Sequence, residues 1–421
     1  MSKIKFYSRN EVPVEMHKVK IVQKLELLPA RERLEKMEEA GFNTFLLHNG
    51  DIFMDMLTDS GVNAMSDNMQ AAMLRADDAY AGSETFYRMN DKLTEIFGIK
   101  HLLPAHQGRA CEHILAQHFV KPGNCIIMNY HFTTSKAHVT RLGGRVEELV
   151  RDEGLEAKSD LPFKGNIDLD KVKACIAKEG ADNIAYMRLE AGTNLIGGQP
   201  ISYENMKAAT EIAKANGIPT ILDASLLQDN LYFIKTREES MKDKSIAEIT
   251  RMIADLFDII YFSARKFGFG RGGGILVRDE KLFHEMEDYI TMFEGFLTYG
   301  GMSVKEMEAL IIGFEETMDL DVISQGPQFI NHCPCGCTNG AVRGILYGKC
   351  GIVNKVNVAV RTLSVKNFIN KLLYAGKPYP ARRTFATGLG QAQLNVSGLG
   401  LQRAKTDVKA FKATDKLLTL P

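Results

Sequence analysis

The stretch FSARKFGFGRGGGILV, residues 262–277, decides the fold class of this chain. The apolar run Ile259–Phe262 reads as a strand that delivers Lys266 into a turn made almost entirely of glycine. An α/β enzyme presents an amine to a carbonyl compound in this way, because a lysine just past a strand end can form a Schiff base with a substrate or a cofactor. Taken alone, a lysine such as Lys266 is far more often a surface residue in a βα loop.

Composition places the chain among ordinary globular proteins. It has 421 residues, 45% hydrophobic and 25% charged, with a formal net charge of +0. That length allows two domains and a large core. The first 20 residues are mixed in charge and do not resemble a signal peptide, and no apolar run approaches the ~18 residues of a membrane span. Seven mostly scattered cysteines favour a reduced, cytoplasmic protein.

The charges are divided unevenly along the chain. Residues 331–421 carry 14 Lys and Arg against only Asp407 and Asp415, and they also hold four of the seven cysteines. A nucleic-acid arm and a metal site around the segment HCPCGC, residues 332–337, are the functional readings of this tail. Neither is favoured, because the tail lacks zinc-finger spacing and has no aromatic residues interleaved with the charges. We therefore expect no metal, no nucleic acid and no membrane as partner.

Strands and helices alternate from about residue 84 onward. The predicted helices cover about 29–40, 84–97, 110–119 and 203–215, and the predicted strands cover 43–47, 101–104, 125–128, 145–150, 184–189, 219–223 and 259–262. This alternation predicts an α/β fold with a mainly parallel sheet, covered on both faces. In such folds the ligand binds at the carboxyl ends of the strands.

Polar and aromatic residues follow several of these strands. Gln107, Gly108 and Arg109 open a helix, whose free N–H groups make a seat for a phosphate, and Ser263 could add a second contact to it. Each residue alone has a bland explanation in capping or core packing. Together they match the needs of a pyridoxal phosphate (PLP) enzyme of the aminotransferase type. The further residues are Phe132 to stack on the cofactor ring, Asn194 for its phenolic oxygen, Asp223 for its ring nitrogen and Lys266 for its aldehyde.

Longer motifs then make a family recognisable. The chain resembles the β-eliminating lyases, which include tyrosine phenol-lyase and tryptophanase, over about residues 30–325. The resemblance implies a fold type I PLP enzyme with a smaller α+β domain, forming pyruvate and ammonium as a homotetramer. We expect an N-terminal arm with part of the small domain in 1–66, the PLP-binding domain in 67–318 and the small-domain region in 319–421. The motifs include FNTFLLHNGDIFMDMLTDSGVNAMSD, DDAYAGSETFY, LPAHQGRACEHIL, NIAYMRLEAGTNLIGGQPIS, LDASLLQDNLYFIK and SARKFGFGRGGG.

The resemblance also implies roles for single residues. Lys266 would hold PLP and then remove the Cα proton, and Tyr80 would be the acid that protonates the leaving carbon. A phenol or indole leaves only after its ring carbon is protonated, so the reaction requires a second acid. Thr58 would help to bind the substrate carboxylate. Thr133 matches the phenol-lyases, since tryptophanases have an Asp at this position.

Several positions depart from the family pattern. Leu226 replaces an Arg that contacts the phenolic side of the cofactor. Arg271 and Asp78 replace the Asn and Glu of a monovalent-cation site, and we expect them to pair with each other and make activity independent of potassium.

The family pattern also ends near Phe329. Arg382 and Arg383, in the segment YPARRTF, are possible replacements for the missing carboxylate-binding Arg, although the match to the family is poor. A changed reading frame after about residue 330 would explain the loss of pattern, and a remodelled small domain is the alternative.

The leaving group stays open at this point. Phenol is the first expectation, and indole or a thiol from a cysteine-type substrate are alternatives. A protein that binds PLP without lyase turnover is a second class, supported by the tail and by Leu226. Transamination is disfavoured, because it needs no acid such as Tyr80.

Overall fold

A computed structural model describes residues 3–5, 11–13, 26–53, 65–156, 159 and 161–324, the first two ranges as backbone alone. These residues fall in two compact units. Residues 26–53 belong to one unit, and all other described residues belong to the second. Thr58, Arg382, Arg383 and the cysteines beyond residue 330 lie outside the described residues.

The larger unit is built on a seven-stranded sheet in the order β3-β9-β8-β7-β6-β4-β5. Strands β4 to β8 run parallel, whereas β9 is antiparallel to both of its neighbours, β3 and β8. The expected mainly parallel α/β sheet is therefore confirmed. A separate hairpin joins β1 (Lys3–Lys5) to β2 (Glu11–Pro13). The sheet strands are β3 (His101–Ala105), β4 (Cys125–Met128), β5 (Arg145–Glu148), β6 (Ile184–Glu190), β7 (Thr220–Asp223), β8 (Ile259–Ser263) and β9 (Gly273–Val277).

Helices cover both faces of this sheet. α9 illustrates why they form: Ser245 and Glu248 make a capping box at its start, and Ile246, Ile249 and Ile253 are buried on one side. The helices are α1 (Ala30–Glu39), α2 (Asp67–Ala72), α3 (Glu84–Phe97), α4 (Gly108–Phe119), α5 (Thr133–Arg141), α6 (Leu169–Glu179), α7 (Tyr203–Ala215), α8 (Leu227–Arg237), α9 (Ile246–Ala254), α10 (Glu280–Phe293) and α11 (Val304–Thr317).

The core lies in two layers, one on each face of the sheet. Ile260 and Phe262 of β8 point into the layer that contains Phe97 and Phe257. Ile259 and Tyr261 of the same strand point into the opposite layer, with α4 and α10. Strands that are buried on both faces read as continuous apolar runs, which is why periodicity of two is absent from their sequences. Among the described helices, none is long and apolar enough to cross a membrane.

One predicted strand was wrong. Residues 43–47 contain a 3₁₀ helix, Thr44–Leu46, in place of a strand. The Asn43 side chain accepts a hydrogen bond from the Phe45 N–H at 3.0 Å, which favours a turn over an extended chain. The helix expected from residue 110 begins two residues earlier, at Gly108.

Candidate active site

Lys266 lies in the turn between β8 and β9, as the sequence predicted. Its N–H donates to the Ser263 carbonyl at 3.0 Å, and the Ala264 N–H donates to the Gly272 carbonyl at 2.8 Å. The Gln228 side chain donates to the Lys266 carbonyl at 3.3 Å. These bonds fix the backbone that carries the amine at the carboxyl end of β8.

The residues of the expected phosphate seat lie close together at the start of α4. A Cβ placed on Gly108 would lie 2.8 Å from the Ser263 Cβ, so Gly108 and Ser263 are in direct contact. Gln107 is extended and forms a bridge to Gly272, and Arg109 is exposed. The first N–H groups of a helix are open to an anion, and Ser263 lies beside them.

An aromatic ring faces the amine of Lys266. The Lys266 Nζ lies 5.2 Å from the centroid of the Phe132 ring. Phe132 precedes α5, and its backbone N–H donates to the Ser135 hydroxyl at 3.1 Å, which fixes the entry into the helix. Thr133 is the first residue of α5 and is half-buried.

Asp223 is buried at the end of β7 and is held by three donors. Its Oδ2 accepts from the Tyr261 hydroxyl at 2.7 Å and from the Arg188 guanidinium, and its Oδ1 accepts from the Ser225 N–H at 2.9 Å. Burial raises the pKa of Asp223, but the charge of Arg188 and the hydrogen bonds outweigh it, so the pKa lies below the ordinary value. Asp223 is therefore a carboxylate at neutral pH.

Arg188 was missed by the sequence reading. It lies on β6, is 2% exposed, and donates from Nε to the Tyr261 hydroxyl at 2.8 Å. Its guanidinium also lies 3.5 Å from Glu190 and 3.9 Å from Glu112 of α4. A charged pair, Arg188 and Glu190, within the apolar strand IAYMRLE was the signal that could have found this cluster.

The two glutamates of this cluster hold protons more tightly than usual. Burial raises the pKa of Glu190 to about 7 and that of Glu112 above its ordinary value, although the Arg188 charge opposes both shifts. Glu190 Oε1 accepts from the Asn194 N–H at 3.2 Å, whereas its Oε2 is buried without a hydrogen-bond partner. Glu190 thus connects Asn194 to the Asp223 group.

Leu226 leaves no cation at the position of the family Arg. It is 2% exposed, and a Cβ on Gly192 would lie 2.9 Å from its own Cβ. The side chain therefore packs against the backbone just before Asn194. Within the described residues, the buried arginine of this region is Arg188, two strand positions before Glu190.

Tyr80 packs in an aromatic group with Phe296 and Tyr299. Its side chain is 71% exposed, and its ring centroid is 5.2 Å from that of Phe296 and 5.7 Å from that of Tyr299. Desolvation and the neighbouring Tyr299 hydroxyl raise the pKa of Tyr80, so it keeps its proton at neutral pH. No contact between Tyr80 and Lys266 occurs in the described part of this chain.

The expected pairing of Arg271 with Asp78 was wrong. The Arg271 Nε lies 3.7 Å from Glu306 of α11, and across the described ranges Arg271 makes no ion pair with Asp78. Asp78 adopts a positive φ of 53° in the turn before Tyr80.

The residues present fit PLP. Gly108 lies too close to Ser263 to accommodate a side chain. The amine of Lys266 faces the Phe132 ring, and Asp223 at the neighbouring strand end has a lowered pKa. In a PLP enzyme the helix start beside Ser263 would bind the phosphate, and the lysine would react with the aldehyde while the aromatic ring covers the cofactor ring. The carboxylate would pair with the pyridinium N–H. Groups of three or more His, Cys, Asp or Glu placed to hold a metal are absent from the described residues.

Comparison with known proteins gives a consistent result. The family model described as "Beta-eliminating lyase" matches residues 55–407, a range that continues past residue 325. Tyrosine phenol-lyase of Fusobacterium nucleatum subsp. nucleatum is 41% identical over 314 residues, which cover 74% of this chain and 68% of that protein. Tyrosine phenol-lyase of Clostridium tetani is also 41% identical, over 75% of this chain and 68% of that protein. That of Symbiobacterium sp. is 38% identical over 74% and 68%.

Proposed function

Since the chain belongs to the β-eliminating lyase family, we propose that it acts on an aromatic L-amino acid as a tyrosine phenol-lyase. The reaction is a PLP-dependent α,β-elimination that yields pyruvate, ammonium and a phenol. The observation that carries the proposal is the set of Lys266, Phe132, Gly108, Ser263 and ionised Asp223 around one strand-end site.

Bound PLP supplies an electron sink for the charge that develops when the Cα proton is removed. Asp223, ionised and buried, would hold the ring nitrogen protonated. Gln107, Gly108, Arg109 and Ser263 would bind the phosphate through the helix start and the adjoining strand end. Phe132 would cover the ring, and Asn194 would donate to the phenolic oxygen.

The proton transfers are assigned to two side chains. Lys266 would attach the cofactor, and its Nζ would then take the Cα proton of the substrate. Tyr80, protonated at neutral pH, would deliver a proton to the leaving ring carbon. Thr133 and Thr58 would contact the substrate. The homotetramer and the cytoplasmic location also remain part of this proposal.

Pyruvate release tests the proposal. Purified, PLP-loaded protein is given L-tyrosine, L-tryptophan or an S-alkyl-L-cysteine, and pyruvate and ammonium are measured. Tyrosine is expected to have the highest kcat/KM, and Lys266→Ala to lower kcat by about 10³-fold or more. A protein that binds PLP but releases pyruvate from none of the three substrates would contradict the proposed lyase activity.

A further inference from the structure

Arg188 is the largest fully buried side chain in the described part of the molecule. A buried guanidinium is costly unless its donors and its charge are matched. Here the matching groups come from three other elements: Asp223 of β7, Tyr261 of β8 and Glu112 of α4. Glu190, from the same strand as Arg188, adds a third carboxylate.

The two carboxylate oxygens of Asp223 accept hydrogen bonds from different donors. Oδ2 accepts from Arg188 and Tyr261, and two donors fill the lone pairs of one carboxylate oxygen. Tyr261 has one proton to donate and at the same time accepts from Arg188 Nε. Oδ1 accepts from the Ser225 N–H and receives no bond from Arg188 or Tyr261, and the Ser225 side chain also stabilises the charged form of Asp223, so Oδ1 is the oxygen that we assign to a further donor.

The charges explain why Asp223, among three buried carboxyl groups, is the one whose pKa is lowered. One arginine cannot balance three carboxylates, and the guanidinium hydrogen-bonds directly to Asp223 but lies 3.5 Å and 3.9 Å from Glu190 and Glu112. The two glutamates therefore retain protons more readily than Asp223 does. The position of Arg188 therefore determines which of the three carboxyl groups has the lowered pKa.

We propose that Arg188 is a positioning residue for the lyase reaction: it holds Asp223 ionised, with Oδ1 open to the cofactor ring nitrogen. The inference rests on the proposed function, because it gives Asp223 its task. Arg188 acts through Asp223 and does not itself contact the reacting atoms. The position also accounts for an arginine in an apolar strand, where packing alone would favour an aliphatic residue.

The test is the protonation state of the bound cofactor. PLP labelled with ¹⁵N at the ring nitrogen is bound to wild-type protein and to Arg188→Met, and the ¹⁵N chemical shift is measured. We expect a protonated nitrogen in the wild type and a shift toward the unprotonated value in Arg188→Met. The kcat should fall about 10²-fold, the size expected when a catalytic group is misplaced by about 1 Å.

Further variants separate positioning from packing. In Arg188→Met/Glu190→Gln one buried carboxylate is removed together with the cation, so the ¹⁵N shift should move back toward the wild-type value. Arg188→Lys keeps the charge but loses the two-sided donation to Tyr261 and Asp223, and should give an intermediate shift. Both variants keep the proposal testable where Arg188→Met does not fold.

Arg237→Met is the matched control. Arg237 is half-buried at the end of α8, where it donates to the Pro162 carbonyl and lies over the Phe233 ring. Its loss should lower the thermal midpoint but leave the ¹⁵N shift unchanged.

A wild-type ¹⁵N shift in Arg188→Met, with unchanged kcat and a lower thermal midpoint, would overturn the positioning role. A wild type with a protonated ring nitrogen but no pyruvate release would contradict the proposed function and leave the role of Arg188 standing.

Discussion

Glu190 and Asp223 are paired neighbours on β6 and β7, yet their carboxyl groups differ in proton affinity. The pKa of Asp223 is lowered and that of Glu190 is raised to about 7. Both are buried, so burial alone does not separate them. The difference arises because Arg188 and Tyr261 donate to Asp223, whereas one oxygen of Glu190 has no hydrogen-bond partner.

This contrast predicts the pH dependence of stability. The folded pKa of Glu190, about 7, exceeds its ordinary value of 4.5, so the folded state binds the proton more tightly than the unfolded state. Stability from this group is present below pH 4.5 and is lost as the pH rises through 7. In Glu190→Gln this loss should disappear, which raises the stability of PLP-free protein at pH 8 by up to about 3 kcal/mol relative to wild type. Thermal midpoints from pH 5 to pH 8 provide the measurement.

Glu238→Gln is a suitable comparison. Burial also raises the pKa of Glu238 to about 7, and its Oε1 accepts from the Tyr203 N–H away from the Arg188 group. A smaller gain in stability is expected there, because Glu238 is only half-buried and solvent screens its charge, and PLP absorbance should not change. Equal pH slopes in wild type and Glu190→Gln would contradict the raised pKa of Glu190.

At the scale of the element, the turn between β8 and β9 depends on Gly272. Its φ of +121° is a conformation that side chains rarely adopt, and a Cβ there would overlap the Met302 sulfur. Its carbonyl accepts from the Ala264 N–H, and it also bridges to Gln107. One glycine therefore connects the lysine turn to the phosphate seat.

Gly272→Ala should disturb the turn that carries Lys266 and the phosphate seat together. We expect a loss of about 2 kcal/mol of stability from backbone strain and overpacking, and a PLP affinity about 10-fold weaker. Chemical denaturation and PLP titration measure the two effects. Gly50→Ala serves as control, since a Cβ at Gly50 meets nothing within 4 Å. An affinity for PLP that is the same in both variants would show that the turn does not position the phosphate seat.

At the scale of the molecule, the described surface carries an aromatic group near the end of α10. Phe296 and Tyr80 are 46% and 71% exposed and touch each other, with Tyr299 beside them. Clustered exposed apolar side chains gain free energy when a partner covers them. We propose that a second copy of this chain covers the group in the homotetramer that the family resemblance implies.

Analytical ultracentrifugation tests the assembly. The wild type is expected to sediment at four times 46.9 kDa, and Phe296→Ser to shift the distribution toward smaller species. Leu155→Ser, at a similarly exposed position (45%) outside this aromatic group, should sediment as the wild type does. A wild type that sediments at 46.9 kDa would exclude the tetramer.

The candidate site residues Asp223 and Lys266 were predicted from their positions at the ends of strands. Asp223 ends an apolar run and Lys266 follows another, and the alternation of such runs with helices predicted buried parallel strands, so their placement at one sheet edge was predictable. Residues 203–215 were predicted as a helix with the same bounds that α7 has. The segment 43–47 was predicted wrongly, since a short apolar run does not distinguish a strand from a turn capped by Asn43.

The sequence by itself thus determined the α/β class and the family and predicted which residues bind the cofactor, because these depend on local patterns and motifs. The tertiary structure alone decided the protonation of Asp223. That property depends on Arg188, Tyr261 and Glu112, which lie on β6, β8 and α4 and meet only through strand register and helix packing. Charges interact through space, so contacts between residues as distant in the chain as Glu112 and Tyr261 are invisible to any local pattern.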